Sequence, residues 1–220
     1  MFNAVPITGA GLPDRTLVLT YDDGPGPNTV PIAEYLSSMG IAATFFVVGS
    51  QVERWPDVLA RVRELGHRLG NHTWTHDVAG LTGQLTRGDD IVAEVKRTAS
   101  LLDPTAGPIA FRAPYGLWNS AVTAALNADA ELAEGHVGHV HWDIDRTDWA
   151  AWRDGVDPTV VATCYRVHAN TVKKGIVLLH DYTADYAVIA AANRTTELTR
   201  ALVPTLIADG FRFAPLDEAL

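Results

Sequence analysis

The stretch TLVLTYDDGPGP (Thr16–Pro27) reads as a buried strand that ends in a turn. Thr16 to Tyr21 run without polar alternation, the pattern of a strand covered on both faces. Two aspartates end the run, and Gly-Pro-Gly-Pro turns the chain. The same unit recurs downstream. Val30–Met39 predicts a helix stopped by Gly40, and ATFFVVG (Ala43–Gly49) predicts a second buried strand. Trp55–Leu65 reads as a helix closed by Gly66, and HRLGNH (His67–His72) as a weaker third strand. Leu85–Leu102 predicts a long helix with Ile91, Val95, Thr98 and Leu102 along one face. PIAFRA (Pro108–Ala113), a helix around Ser120–Ala130, a strand near Val140–Ile144 and a helix around Thr159–Ala169 follow. GIVLLH (Gly175–His180), a helix over Thr195–Asp209 and FRFAPL (Phe211–Leu216) complete the series.

This alternation predicts a parallel sheet covered by helices, as a doubly wound open sheet or a (β/α) barrel. The chain has 220 residues, short of the ~250 typical of eight full units. The expectation is therefore an α/β fold: a distorted (β/α) barrel of seven or eight units, as one catalytic domain over 1–220.

Composition narrows the chemistry. Apolar residues make up 47% and charged residues 20%, which excludes disordered and low-complexity classes. With 26 acidic against 17 basic side chains the net charge is −9, the wrong sign for gripping a phosphate backbone. Nucleic acid is not an expected partner. Cys164 is the single cysteine, so any metal must be held by histidines and carboxylates. It reads as a buried small hydrophobe. The first fifteen residues, MFNAVPITGAGLPDR, carry no basic leader or long apolar run and do not read as a secretory signal. Either a cytoplasmic chain or a trimmed exported form is expected. No stretch approaches the ~20 apolar residues of a membrane span.

Rare polar residues recur at strand ends. Asp22 and Asp23 follow the first strand, and His72 ends the third with His76 four residues on. Arg112 ends the fourth, Asp145 and Asp148 follow the fifth, and His180 closes the sixth. Strand C-termini converge on one face of a parallel α/β fold, where active sites lie. Each cluster has a plain structural explanation: a turn for the aspartates, a chance spacing for the histidines, a paired surface arginine, a core histidine. Five together strain that explanation. HTWTH lacks the glutamate of the HExxH zinc-protease pattern, so a base must come from elsewhere. GPGP is a rigid turn, because proline lacks the N–H a phosphate cradle needs. His67, His136, His139, His141 and His168 lie outside these clusters and read as surface or core residues.

TYDDGP, HTWTH, RAPYG, DRTDW and IVLLHD resemble, in order, the five motifs of the polysaccharide deacetylases, the NodB-homology domain of carbohydrate esterase family four. The likeness spans about residues 17–216. It implies a metal-dependent hydrolase that removes acetyl groups from N-acetylglucosamine polymers of the chitin or peptidoglycan type, or from acetylated xylan. It assigns one divalent ion, zinc first with cobalt or nickel as alternatives, to Asp23, His72 and His76. By the same resemblance Asp22 is the base, Arg112 holds Asp22, and His180 is the acid. Asp148 resembles the residue that pairs with the arginine, and Asp145 competes for that contact. The Tyr115 amide resembles a second oxyanion donor, and Trp149 and Leu178 the walls of a small acetyl pocket. After His180, Tyr182, Asp185 and Tyr186 lie in a long aromatic loop expected to shape the substrate groove.

The implied chemistry is coherent. Amide hydrolysis needs an activated water, oxyanion stabilisation and an acid for the leaving amine. Two histidines and a carboxylate also form the facial triad of Fe(II) oxygenases, which the β-α alternation disfavours. A non-catalytic glycan-binding module on the same scaffold predicts loss of the base or acid, and both are present. The partner expected is an acetylated oligo- or polysaccharide, with no transmembrane segment and no preference of oligomeric state.

Overall fold

Thr16–Asp22 forms a strand, β2, buried along its whole length, as its unbroken apolar run requires. The computed structural model describes residues 1–76, 88–102, 107–184 and 186–220. Around β2 lie β3 (Thr44–Val47), β4 (Arg68–Asn71), β5 (Ile109–Phe111), β6 (His136–Val140) and β7 (Gly175–His180). A further strand, β1 (Phe2–Ile7), precedes them, and a short β8 (Arg212–Phe213) follows. The sheet order is β1-β6-β5-β4-β3-β2-β7, with β8 at the base of β2. Every pairing is parallel.

The sheet curls until its ends meet, and the distortion has a definite place. Beyond β6 the chain crosses to β7, where Ile144 bridges Val177. The Leu178 amide donates to the Ile144 carbonyl at 2.9 Å. Asp143 seals this seam, accepting from the Gly9 and Ile176 amides at 2.7 and 2.8 Å. Strand β1 occupies the other side of β6, and Ile7 accepts from the His141 amide at 2.8 Å. The expected distorted (β/α) barrel is therefore observed, with the irregularity at β1, β6 and β7.

Helices α1 (Thr29–Ser38), α2 (Gly49–Arg54), α3 (Val58–Glu64) and α4 (Gly88–Ala99) cover the first half. The second half carries α5 (Ser120–Ala128), α6 (Ala130–Gly135), α7 (Asp148–Arg153), α8 (Pro158–Val172), α9 (Ala187–Ala192) and α10 (Thr195–Ala208). Among the described residues no helix is long and apolar enough to cross a membrane.

Several sequence expectations need correction. The helix read over Trp55–Leu65 starts later, at Val58, and a separate helix, α2, ends before it at Arg54; Pro56 disfavours helical backbone at Trp55, which sits at φ −132°, ψ 58°. The strand expected near Val140–Ile144 lies earlier, at His136–Val140. Its buried histidines concealed the apolar pattern. Strand β1 escaped notice because only Phe2 is buried in it. The start of the helix read from Leu85 lies outside the described residues. Cys164 is exposed; the buried face of α8 is Val161, Ala162, Tyr165 and Ala169.

The seam yields a stability test. Replacing Asp143 by alanine strands two amides, and each unsatisfied buried donor costs about 1–3 kcal/mol. Urea unfolding of Asp143→Ala should show a lower midpoint at an unchanged slope.

Candidate active site

Four strands, β5 and β4 on one side of β3 and β2 and β7 on the other, deliver the motif residues to one end of the sheet. Asp22 is the last residue of β2 and lies in register with His180, the last of β7. His72 and Arg112 follow directly on β4 and β5. Adjacent side chains on an extended chain point to opposite sides. Asp23 escapes this rule by adopting φ 75°, a left-handed conformation that aspartate tolerates better than most residues. Both carboxylates line one cavity as a result. Thr73, His76, Tyr115 and Thr147 also have positive φ, so irregular backbone concentrates here, as is common at functional sites.

Asp23, His72 and His76 bring their ligating atoms within 4.8 Å of one another, the group of this kind among the described residues. All three are buried. Asp23 Oδ1 is 3.5 Å from His72 Nε2 and 3.2 Å from His76 Nε2. His72 Nδ1–H donates to the Arg112 carbonyl at 2.8 Å, which turns Nε2 toward the carboxylates. A neutral imidazole would then aim a lone pair at Asp23 Oδ1, and a cation between them relieves that repulsion. The donor set, two nitrogens and a carboxylate with room in the cavity, fits a divalent ion with open positions. Burial raises the Asp23 pKa, but His76, His72 and His180 outweigh it and hold the carboxyl well below its ordinary range.

Arg112 is wholly buried and forms an ion pair with Asp22 at 2.7 Å. Its guanidinium also donates to Thr20 Oγ1 at 2.8 Å and to the Val140 and His141 carbonyls at 3.0 and 3.3 Å. Phe46 lies flat beneath it, 4.2 Å from ring centre to Cζ. Burial lowers its pKa, and Asp22 acts in the opposite sense. Desolvation of this kind is offset only when the charge is paired and its N–H groups are met, and here both conditions hold.

The partner expected for Arg112 differs. Asp148 opens α7 and turns to β7: it accepts from the His180 amide at 2.9 Å and pairs with His180 Nδ1 at 2.7 Å. Asp145 is not the arginine's partner either; its Oδ1 accepts from the Thr147 amide at 2.6 Å. Desolvation would lower the His180 pKa, yet Asp148, with Asp23 and Asp22 beyond, raises it to about 10. Each cation in the site thus has its own carboxylate.

The whole cavity has a volume of about 560 Å³, in the range of small-molecule sites. Tyr115, Trp149 and Leu178 line it as expected. Sequence reading missed Trp142, Arg153, Thr183 and Ile189. Trp142 and Arg153 stand in HWDIDRTDWAAWR, where the aromatic and charged density was the available signal. Tyr186 lines the groove as anticipated, whereas Tyr182 packs against the Gly26 turn. Asp185 lies outside the described residues. Asp181 is a further missed residue, wholly buried beneath the Asp22–Asp23 turn. It accepts a hydrogen bond from Thr29 and leaves no space for a Cβ at Gly24. Burial raises its carboxyl pKa to about 7.

The raised His180 pKa makes a stability prediction for the metal-free protein. A folded pKa of about 10 lies above the ordinary ~6.5. The stabilisation is then complete below pH ~6.5 and lost as pH rises through about 10. Chemical unfolding in chelator across pH 6–10 should show falling stability, and Asp148→Asn should flatten the fall. An equal slope in both proteins would refute the pairing.

With this geometry in hand, likeness to known proteins becomes informative. The family model for polysaccharide deacetylase matches residues 9–132. A chitooligosaccharide deacetylase of Bradyrhizobium sp. (strain ANU 289) is 33% identical over 210 residues, covering 93% of this chain and 90% of that one. The peptidoglycan-N-acetylglucosamine deacetylase PgdA of Listeria monocytogenes (strain 10403S) is 29% identical over 217 residues, 97% of this chain and 41% of the relative. Among solved structures, the Bc1960 peptidoglycan N-acetylglucosamine deacetylase shares the fold with a TM-score of 0.75 at 24% identity, covering 97% of this chain and 91% of that one. The protein belongs to the polysaccharide deacetylase family.

Proposed function

We propose that this deacetylase hydrolyses the acetamide of N-acetylglucosamine units in a chito-oligosaccharide or related glycan, with one catalytic domain over 1–220. The observation that carries the reading is a carboxylate and an imidazole on one cavity, each held by its own charged partner. Asp22 is held beside Arg112, and His180 is held protonated by Asp148. Between them lies the Asp23, His72 and His76 group. Separated acid and base of this kind assign the proton-transfer roles.

A divalent ion held by Asp23, His72 and His76, zinc first, would lower the pKa of a water and polarise the acetyl carbonyl. The chain's own residues supply the rest. Asp22 takes the proton of the attacking water, and the ion pair with Arg112 holds its carboxylate in place. The Tyr115 amide donates to the oxygen that gains charge as the carbonyl carbon becomes tetrahedral. His180 has Nδ1–H committed to Asp148, so Nε2–H is the proton given to the departing nitrogen. The C–N bond breaks, leaving acetate and a free amine. Leu178 and Trp149 form apolar wall around the acetyl methyl, and Tyr115, Trp142 and Tyr186 offer ring faces to the sugar.

An O-acetyl ester such as acetylated xylan would meet the same machinery. The chitooligosaccharide deacetylase relatives favour the amide, as does an acidic chain whose product becomes cationic. A non-catalytic module is disfavoured by the presence of Asp22 and His180 together, and an Fe(II) oxygenase by the family and the fold.

Acetate release from N-acetylated chito-oligosaccharides should depend on added zinc or cobalt and be lost in chelator. Acetylated xylan assayed beside them should release less. Asp22→Asn should lower kcat by at least about 10²-fold while calorimetry shows metal affinity retained. Turnover that survives this substitution would remove Asp22 as the base.

A further inference from the structure

The backbone of Arg112 and Ala113 joins the parts of the site, and its four hydrogen bonds can be followed individually. The Arg112 amide donates to the Asn71 carbonyl at 3.0 Å, and the Arg112 carbonyl accepts from His72 Nδ1 at 2.8 Å. The Ala113 carbonyl accepts from the Gly116 amide at 3.0 Å, closing the turn Pro114–Gly116. That turn holds Tyr115 at φ 56°, ψ 12°. The fourth bond runs from the Ala113 amide to a side chain with no role so far, His139 Nδ1, at 2.9 Å.

His139 is fully buried in β6. Because Nδ1 accepts, the ring must be neutral with its proton on Nε2. Burial, reinforced by the Arg112 charge, lowers its pKa to about 3 and keeps it so. Among the described residues Nε2 has no hydrogen-bond partner. A hydrocarbon ring would fill the same space without stranding a polar atom, so packing alone is a poor reason for histidine here. The ring is itself held: Trp118 stacks on it at 5.3 Å, and Trp118 Nε1 donates to the Asn3 carbonyl at 2.9 Å. On the far side of the turn, a Cβ on Gly116 would lie 2.9 Å from Trp142 and 3.1 Å from His141. The turn is therefore gripped between His139 of β6 on one side and His141 and Trp142, which follow that strand, on the other.

We infer that His139 is a positioning residue: its neutral imidazole fixes the Ala113 amide and thereby the turn that presents the Tyr115 amide to the reacting carbonyl. This rests on the deacetylase reading for its kinetic consequence, but the hydrogen bond itself does not. Arg112 keeps its own backbone partners when the His139 bond is lost, so metal binding is spared and transition-state stabilisation is not.

Two measurements test it. In metal-free protein, ¹⁵N-detected histidine spectra between pH 5 and 8 should give His139 as the Nε2–H tautomer with an accepting Nδ1. The opposite tautomer, or an imidazolium in that range, would overturn the inference whatever the enzyme does. In metal-loaded protein, His139→Phe keeps a ring against Trp118 and removes the acceptor. Small misplacements of catalytic donors cost about 10- to 100-fold, and kcat should fall by that much with KM and zinc affinity within about threefold. His139→Asn, whose Oδ1 occupies the place of Nδ1, should recover most of the loss. His139→Gln carries its amide one carbon too far and should not, which keeps the comparison decisive if the phenylalanine variant does not fold. Wild-type kcat in the Phe or Gln variant, or an Asn variant as impaired as Gln, contradicts the role. A wild-type enzyme that releases no acetate would count against the deacetylase reading alone, with the tautomer still testing His139.

Discussion

A guanidinium excluded from water must be neutralised inside the fold, and around Arg112 that demand organises the active face. Its charge is met by Asp22 at 2.7 Å, and its other N–H groups by Thr20 and by the carbonyls of Val140, which ends β6, and His141. Those contacts tie β2, β5 and β6 together at their C-terminal ends. The Arg112 backbone reaches in the other direction, to Asn71 and His72. One residue thus couples the proposed base Asp22, His72 of the candidate metal group and the turn that carries Tyr115. Buried ion pairs are costly to desolvate and are often no more stabilising than packed hydrocarbon. The arrangement makes sense as preorganisation: the groups are aligned before substrate arrives.

Across the cavity the same physics is used with the opposite result. Asp148 has no solvent exposure and directs its carboxylate at both the ring and the amide of His180. A carboxylate beside an imidazole favours the protonated ring, and His180 is raised by it. Two local ion pairs, Arg112 with Asp22 and His180 with Asp148, thus face one cavity.

Much of this was visible in the sequence, for a physical reason. Parallel strands buried on both faces leave few positions for polar side chains, so Asp22, His72, Arg112 and His180 stood out where each apolar run stopped. The choice of partner was not visible. Asp145 and Asp148 lie three residues apart in an irregular segment after β6, and which cation each faces depends on how that segment crosses the sheet. The answer, Asp148 with His180, follows from the Ile144–Val177 bridge that closes the barrel, a long-range contact with no local signature. His139 was hidden for a related reason: a histidine inside a strand reads as core until the amide it serves is known. The exposed thiol of Cys164 went unforeseen because a small residue on a helix is compatible with either face. Arg153 and Ile189 went unnoticed as cavity lining because they sit on α7 and α9, helices too short to show a periodic pattern.

The central claim is that the two pairings divide the work of acid and base. The pH dependence of kcat/KM in the metal-loaded enzyme tests it most directly, because its limbs report the ionisations of the free enzyme. Asp148→Asn removes the main support of the His180 proton. The account predicts that the alkaline limb moves to lower pH by about one unit or more while the acid limb stays. An alkaline limb left in place, or a shift confined to the acid limb, would contradict it.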